Sequence, residues 1–370
     1  MPKPQEVSVR ELEALLILGL REHTFPGAVI AAGRLTGRGH ARVQACAGVL
    51  APGEAKVELA TPYDLASLTK PVVALTALRL SQRGALELER DVSYYLPELE
   101  GTRGGEASLT QLLSHRAGLA AWVPLWEEGD APFGSAARKA QMLRSAATKR
   151  AEGLPEGGCL YSDLGYILAG ETIARASGLS LEEAVRREVT GPLGIDAQLF
   201  YAAALRQRST FVATVAPTEI CPPRTTVARG EVHDENCFAY GGIAGHAGMF
   251  GSAAAVLTLG LEVLLALEGR SRWLDQGLLT WALRARGTNT HAVGWDTKSA
   301  EGSSAGHEFS ALSFGHLGFT GTSIWCDPTR RLCAVLLSNR VHPSRENIAI
   351  RDFRRRFHDA VAELQFTEAV

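Results

Sequence analysis

Strand patterns lie at the two ends of this chain and helical patterns fill its middle, and this arrangement constrains the fold most. Near the start, "GAVIAAGR" (27–34) and "RVQACAGVL" (42–50) are apolar or alternating runs separated by the Gly-rich "LTGRGHA", which is a hairpin signal. Near the end, "LSFGHLGFTGTSIWCDPTRRLCAVLLSNR" (312–340) reads as two or three strands with tight turns. Between them the apolar spacing is helical. A helix opens at Ser67 and closes near Gly84. Others cover "SLTQLLSH" and "LGYILAGETIARASG", the latter closed by Gly178. "LSLEEAVRREVTGPLG" starts with Ser180 and places Glu183 three residues on, a capping box. Residues 205–250 are irregular and rich in Gly and Pro, and "AAAVLTLGLEVLLALEG" follows as a core helix. A helix over roughly 8–22 and a closing helix in "RENIAIRDFRRRFHDAVAEL" flank the strands. The fold class is therefore α+β, with one antiparallel sheet completed by both chain ends. We expect a single domain over 1–370, with an α/β lobe from 1–85 plus 240–370 and a mostly helical lobe from 86–239. The cleft between the lobes is the natural site.

Charge excludes some partners. Formal net charge is −2, so there is no electrostatic case for nucleic acid or an anionic membrane. Arg outnumbers Lys 32 to 6, without a block of like charge. No window reaches the 18 or so apolar residues of a membrane span. The run "ALLILGL" is flanked by Arg10, Glu11 and Glu13, so it reads as an amphipathic helix rather than a signal peptide. A cytoplasmic protein is the expectation, and the oligomeric state is left open. Six cysteines show no C-x-x-C pairing. Cys326 and Cys333 flank "DPTRR" and should face each other across a hairpin as thiols.

Chemistry enters at "YDLASLTKPVVAL" (63–75). A helix starting near Ser67 places Lys70 on the same face. Val72, Val73, Leu75, Ala77 and Leu78 bury the rest of the helix, and a buried ammonium is costly unless something uses it. A Lys desolvated beside a Ser can take its proton. With 22 Ser and 6 Lys in 370 residues, about 0.4 such spacings arise by chance, so one S-x-x-K carries little weight alone. A second stretch, "GGCLYSDLGYILAG", holds Tyr161, Ser162 and Asp163 in a loop entering a helix. A third, "FGHLGFTG", holds His316, Leu317 and Gly318 on a C-terminal strand.

Ser67-x-x-Lys70 and Tyr161-Ser162-Asp163, in this order and context, resemble the serine β-lactamase and penicillin-binding-protein superfamily. The likeness is greatest to the class C β-lactamase-like branch, which includes esterases and D-alanyl-D-alanine carboxypeptidases. "FPGAVIAAGR", "LTQLLSHRAGL", "GPLGI" and "LLSNR" extend the match, and "VHDENCFAYGGIAGHAGMF" resembles a carboxypeptidase-like subgroup. The resemblance covers roughly residues 10–360. It implies a β-lactamase/transpeptidase-like fold and a serine hydrolase working through an acyl-enzyme on a small ester, amide or peptide. Ser67 would be the nucleophile, with Lys70 and Tyr161 as the proton relay. Either could be the general base, and the Tyr161 pKa should fall beside a cationic Lys. Asp163 would hydrogen-bond Lys70 or substrate. The oxyanion hole would use the Ser67 and Phe319 amides, with Gly318 allowing close substrate approach.

Two departures bear on substrate. The branch often has Lys-Thr-Gly where this chain has His316-Leu317-Gly318. His316 supplies only a pH-dependent charge, which predicts a preference for uncharged esters or amides, relaxed as pH falls from 8 to 6. Asp163 stands where Asn is commoner, and the added negative charge favours a protonated Lys70. His115 is read as bonding a loop backbone. Trp122 and Trp126 either line a pocket or form a local cluster. His233, Asp234 and His246 lack metal-ligand spacing, so no metal or cofactor is expected and "VHDEN" is read as a loop bordering the cleft. The competing function is a catalytically weak module of the same fold that binds a peptide or muropeptide without turnover.

Overall fold

The computed structural model describes residues 4–37, 39–155, 158–202, 212–284 and 291–366. Gly157, one of the glycines preceding Tyr161, and part of the irregular 205–250 stretch lie outside the described residues.

A six-stranded antiparallel sheet forms the frame. Strands β1 (Gly27–Leu35) and β2 (His40–Gly48) make the expected hairpin. Helix α1 (Pro4–Arg21) precedes them, starting about four residues before the expected position. From the far end of the chain come β6 (Asp296–Thr297), β7 (Phe314–Leu317), β8 (Ser323–Asp327) and β9 (Leu332–Ser338). The order is β2-β1-β9-β8-β7-β6, so β1 pairs directly with β9 and the two chain ends meet at the sheet centre. Cys326 and Cys333 are cross-strand partners with their sulfurs 3.5 Å apart, and both are free thiols.

The two-residue period of a strand explains how this sheet is covered. Ala28, Ile30 and Ala32 of β1 face a core built with Leu12, Leu16 and the closing helix α10 (Ile350–Glu363). Val29 and Ala31 face the opposite, larger core. That side carries α8 (Ala253–Leu267), whose Gly260 lets it lie close to the sheet: a Cβ there would stand 2.4 Å from the Cys333 sulfur. Phe25 and Phe353 seal the other side edge to face, 5.1 Å between ring centres.

Helix α2 (Thr69–Gln82) runs through the larger core. Ten consecutive residues, Thr69 to Leu78, are buried, as expected of a helix that is apolar nearly all round. It ends before Gly84, which adopts φ +72°. Around it lie α3 (Leu109–Leu113), α4 (Ala136–Thr148), α5 (Asp163–Ser177) and α6 (Leu181–Val185). Ser108 with Gln111 and Ser180 with Glu183 form capping boxes, and Gly178 closes α5 in the left-handed region. A second, three-stranded sheet joins β3 (Tyr63–Asp64), β5 (Met249–Gly251) and β4 (Leu199–Tyr201) just ahead of α2. No described helix is long and apolar enough to cross a membrane.

Candidate active site

Ser67 sits in a single 3-10 turn, Ala66–Leu68, that runs straight into α2. Ala66 holds φ +47°, a conformation a non-glycine residue rarely adopts and keeps only where its surroundings fix it. Asp64 does this fixing. Its buried carboxylate accepts the Ala66 N–H at 2.8 Å through one oxygen and the His233 N–H at 2.6 Å through the other. Burial raises the Asp64 pKa, while the two amide bonds oppose the shift.

The i, i+3 geometry places the Lys70 ammonium 2.8 Å from the Ser67 hydroxyl, to which it donates. Lys70 is fully buried and also donates to the His246 carbonyl at 3.2 Å. Asp163 lies 2.5 Å from the ammonium. The Tyr161 phenol interacts electrostatically with Lys70 and Ser67, and its ring centre lies 4.9 Å from the ammonium. These four side chains therefore form one contiguous unit.

The loop after α3 holds the Tyr161 segment in place. Ser162 donates its N–H to His115 Nδ1 at 3.0 Å and its hydroxyl to the Ala120 carbonyl at 2.7 Å. Asp163 N–H bonds the Ala121 carbonyl at 2.9 Å, and Ser162 caps α5 through the Gly165 N–H. His115 packs on the Tyr161 ring at 4.5 Å, which agrees with its reading as a residue that bonds a loop backbone.

The electrostatics correct one expectation. Burial opposes the Lys70 charge, yet the adjacent Asp163 and Tyr161 outweigh it and hold the pKa above the ordinary lysine value. Lys70 is an ammonium at rest, as Asp163 in place of Asn implied. Tyr161 does not become more acidic. Burial raises its pKa and Asp163 adds to the rise, against the pull of Lys70. The resting unit is thus Ser hydroxyl, Lys ammonium and neutral phenol.

His316 also departs from expectation. It is buried, its Nδ1–H donates to the Leu317 carbonyl at 2.9 Å, and its ring stands 6.0 Å from Tyr161. Burial, with repulsion from Lys70, depresses its pKa to about 3. It stays neutral from pH 8 to 6, so the expected gain of charge over that range does not occur at this residue. The packing around Gly318 requires a glycine independently of any substrate. A Cβ there would lie 1.9 Å from the Thr322 hydroxyl and 2.5 Å from the Leu65 carbonyl, so the glycine lets the strand edge meet the Ser67 turn. Thr320 and Thr322 complete that join by donating to the Asp64 and Leu65 carbonyls at 2.7 and 3.0 Å. Phe319 starts the turn after β7, and among the described residues its N–H has no backbone partner.

Ser67, Tyr161, Asp163, Gly318 and Phe319 line one cleft of about 560 Å3. Trp122 and the "VHDEN" segment border it as well. Trp126 instead packs against the core beneath. Asp234 pairs with His246 at 2.8 Å and caps α7 (Glu235–Ala239) through the Cys237 N–H. The sequence reading missed Arg340, Arg345, Arg351 and Arg354, which line the same cleft.

Comparison with known proteins follows from this geometry. The beta-lactamase family model matches residues 12–358. The N-acetylmuramyl-L-alanine amidase of Bacillus subtilis (strain 168) is 29% identical over 314 residues, 78% of this chain and 70% of its own length. A putative D-alanyl-D-alanine carboxypeptidase of Salmonella agona (strain SL483) is 26% identical over 306 residues, covering 76% and 70%. Among solved structures, EstCE1, a hydrolase with promiscuous acyltransferase activity, superposes with a TM-score of 0.75 at 20% identity, covering 97% of this chain and 99% of its own. At that identity the likeness concerns the fold.

Proposed function

The chain belongs to the beta-lactamase family and has its α+β, transpeptidase-like fold, and from that premise we propose that it is a serine hydrolase acting on a small ester or amide through a covalent acyl-enzyme. The observation that carries this reading is the contiguous Ser67–Lys70–Asp163–Tyr161 unit opening into a cleft. Once Tyr161 has released its proton to solvent, Ser67 Oγ attacks the substrate carbonyl and its proton moves to the Tyr161 phenolate beside Lys70. The Ser67 and Phe319 amides hold the oxyanion in a preorganised pocket. Collapse of the tetrahedral intermediate expels the alcohol or amine, which takes a proton back from the same pair. Water then cleaves the acyl-enzyme by the reverse sequence. The names of the amidase and carboxypeptidase relatives favour an amide within a peptide or muropeptide over a simple ester.

The resting protonation supports Tyr161 as the base. Asp163 holds Lys70 cationic, so the base is generated when Tyr161 gives up its proton, and the neighbouring ammonium stabilises the phenolate. A fluorophosphonate probe tests the reading. It should label the wild type and fail on Ser67→Ala, with loss of turnover on a panel of p-nitrophenyl esters, nitrocefin and D-Ala-D-Ala peptides. Full turnover by Ser67→Ala would remove the serine mechanism. A folded wild type that neither labels nor turns over any member of the panel would leave the binding module instead.

A further inference from the structure

We propose that His233 is a positioning residue for the hydrolytic reaction, one that sets the Ser67 and Phe319 amides against each other so that both reach the same oxyanion, a role that rests on the serine hydrolase reading above and adds a residue to it.

Two amides that serve one oxygen need close alignment, because each acts only at about 2.7–3.1 Å from the place where the oxyanion forms. Ser67 and Phe319 stand on segments far apart in the chain, a 3-10 turn ahead of α2 and the turn after β7. Regular structure does not hold Phe319, since β7 ends at Leu317 and the Phe319 side chain is half-exposed. The threonine bonds that join the two segments come from Thr320 and Thr322, after Phe319.

His233 touches both sides. Its N–H donates to one oxygen of the Asp64 carboxylate at 2.6 Å, and the other oxygen accepts from Ala66, the neighbour of Ser67, at 2.8 Å. Its ring stacks on the Phe319 ring, with 5.6 Å between centres and 26° between planes. The residue is buried and lines the cleft together with Ser67 and Phe319. Its backbone therefore serves the Ser67 turn, while its side chain serves Phe319.

The ring is itself locked from behind. Its Nε2 lies 2.8 Å from Glu219. That carboxylate also accepts the Arg345 N–H at 2.7 Å and a bond from the Arg345 guanidinium. Burial would raise the Glu219 pKa, but His233 and Arg345 outweigh it and hold the carboxyl below its ordinary value. An ionised carboxylate can only accept, so His233 presents Nε2–H to it, which sets the orientation of the imidazole. Arg345 returns to Glu235 at 2.8 Å, two residues beyond His233. His233, Glu219, Arg345 and Glu235 thus close a polar ring on the "VHDEN" segment, and such networks, when satisfied, rigidify what they hold. Phe319 is then fixed at two points, its ring by His233 and its carbonyl by Arg340 at 2.9 Å. With both fixed, the direction of its N–H is fixed.

The test separates alignment from folding by expressing rates per site titrated with the fluorophosphonate probe. Loss of one oxyanion donor costs about 10²–10³ in kcat, and a group misplaced by about 1 Å costs about 10². His233→Ala should lower kcat on a p-nitrophenyl ester by about 10- to 100-fold and move KM less than about threefold, because the oxyanion forms only after the substrate is bound. Phenylboronic acid, whose adduct with Ser67 is tetrahedral, should bind more weakly by the same factor as kcat falls. His233→Phe keeps a flat ring and should restore much of the loss. Phe319→Ala keeps the amide and removes the stack, so His233→Ala should add little to it, and the double variant should resemble Phe319→Ala alone rather than the product of the two. Where His233→Ala does not accumulate as folded protein, Glu219→Gln, which loosens the ring without removing it, should lower kcat several-fold with KM unchanged. A kcat within about threefold of wild type in these variants, a fall in kcat without any loss of boronate affinity, or losses that multiply fully in the double variant overturn the role of His233. Labelling of wild-type Ser67 is read first and separately, so failure of the hydrolase reading appears there and failure of the positioning role appears in the variants.

Discussion

Asp163→Asn is the most informative single change, because it removes a charge from the centre of the proposed relay while keeping its shape. Asp163 lies 2.5 Å from the Lys70 ammonium and is 18% exposed. It holds the Lys70 pKa up and adds to the rise at Tyr161. Whichever of the two yields the base, removing the negative charge makes deprotonation easier. Two unit charges about 4 Å apart at an effective dielectric near 20 interact by about 4 kcal/mol. Partial exposure reduces this, and a third to a half of it, about 1.3–2 kcal/mol, corresponds to about 1–1.5 pH units. The wild-type kcat/KM for a neutral p-nitrophenyl ester should rise with pH above neutrality, because the resting Lys and Tyr are both protonated and the active fraction grows tenfold per unit. In Asp163→Asn the rising limb should move down by about one unit. The plateau should fall as well, since the ammonium loses the partner that positions it, so the position of the limb is the quantity to read. The imidazoles near Tyr161 do not confuse the profile. Burial lowers the pKa values of His115, His291 and His316 below the ordinary 6.5, so none of them gains charge above neutrality, where the limb rises. A stopped-assay profile from pH 6 to 10 on both proteins decides the matter. A limb that stays in place, or moves up, refutes the assignment of Asp163 as the group that keeps the base protonated.

Three further outcomes follow from the same coordinates. Tyr161→Phe and Lys70→Ala should each lower kcat by roughly 10²–10⁴, the range for a lost proton-transfer group, and a wild-type rate in both would place the relay elsewhere. Asp64→Ala should leave the Ala66 and His233 amides without their acceptor at a cost of about 1–3 kcal/mol each before relaxation; chemical denaturation should show lost stability, and the surviving folded enzyme should label slowly as the strained turn relaxes. At Asp234, burial would raise the pKa, but His246 and the Cys237 N–H outweigh it and hold the carboxyl well below its ordinary 3.8. A depressed carboxyl stabilises the fold fully above its unfolded value and loses that contribution as pH falls below about 4. Urea midpoints measured from pH 7 to 3 should therefore fall less steeply in Asp234→Asn than in the wild type.

The grouping of Ser67, Lys70, Tyr161 and Asp163 was readable because its members are coded locally. Ser67 and Lys70 are one helical turn apart, and Tyr161 and Asp163 share a tripeptide ahead of a capped helix. The sheet was readable for a similar reason: alternation in 27–50 and 312–340 marks strands without knowledge of partners. What escaped depends on contacts far apart in sequence. Asp64 fixes the Ser67 turn only because His233 and Ala66 converge on it. The His316 position looks polar on its strand, and only the packed structure shows it buried beside Tyr161 and Lys70. The cleft arginines had no local mark among 32 in the chain, since only the packed structure brings them to the cleft. The direction of the Tyr161 shift was misjudged because sequence shows the neighbouring charge but not the burial that outweighs it.

The meeting of the two chain ends at the sheet centre also bears on biosynthesis. Ala28 pairs with Ser338 and Arg34 with Leu332, so a nascent chain carries β1 with one edge bare until β9 has been made. Such an edge is a template for wrong partners, and long-range pairings of this kind form late and slowly. The small apolar residues of β1, "GAVIAA", would need a holding factor or the early cover of α1 and β2 until β9 emerges. A ribosome that stops before residue 332 would release a product with Ser67, Lys70, Tyr161 and Asp163 all present but no central strand to close the sheet and no Arg340, Arg351 or Arg354 in the cleft. Activity therefore reports completion of the chain, and prematurely terminated copies are expected in the insoluble fraction rather than as uncontrolled hydrolases.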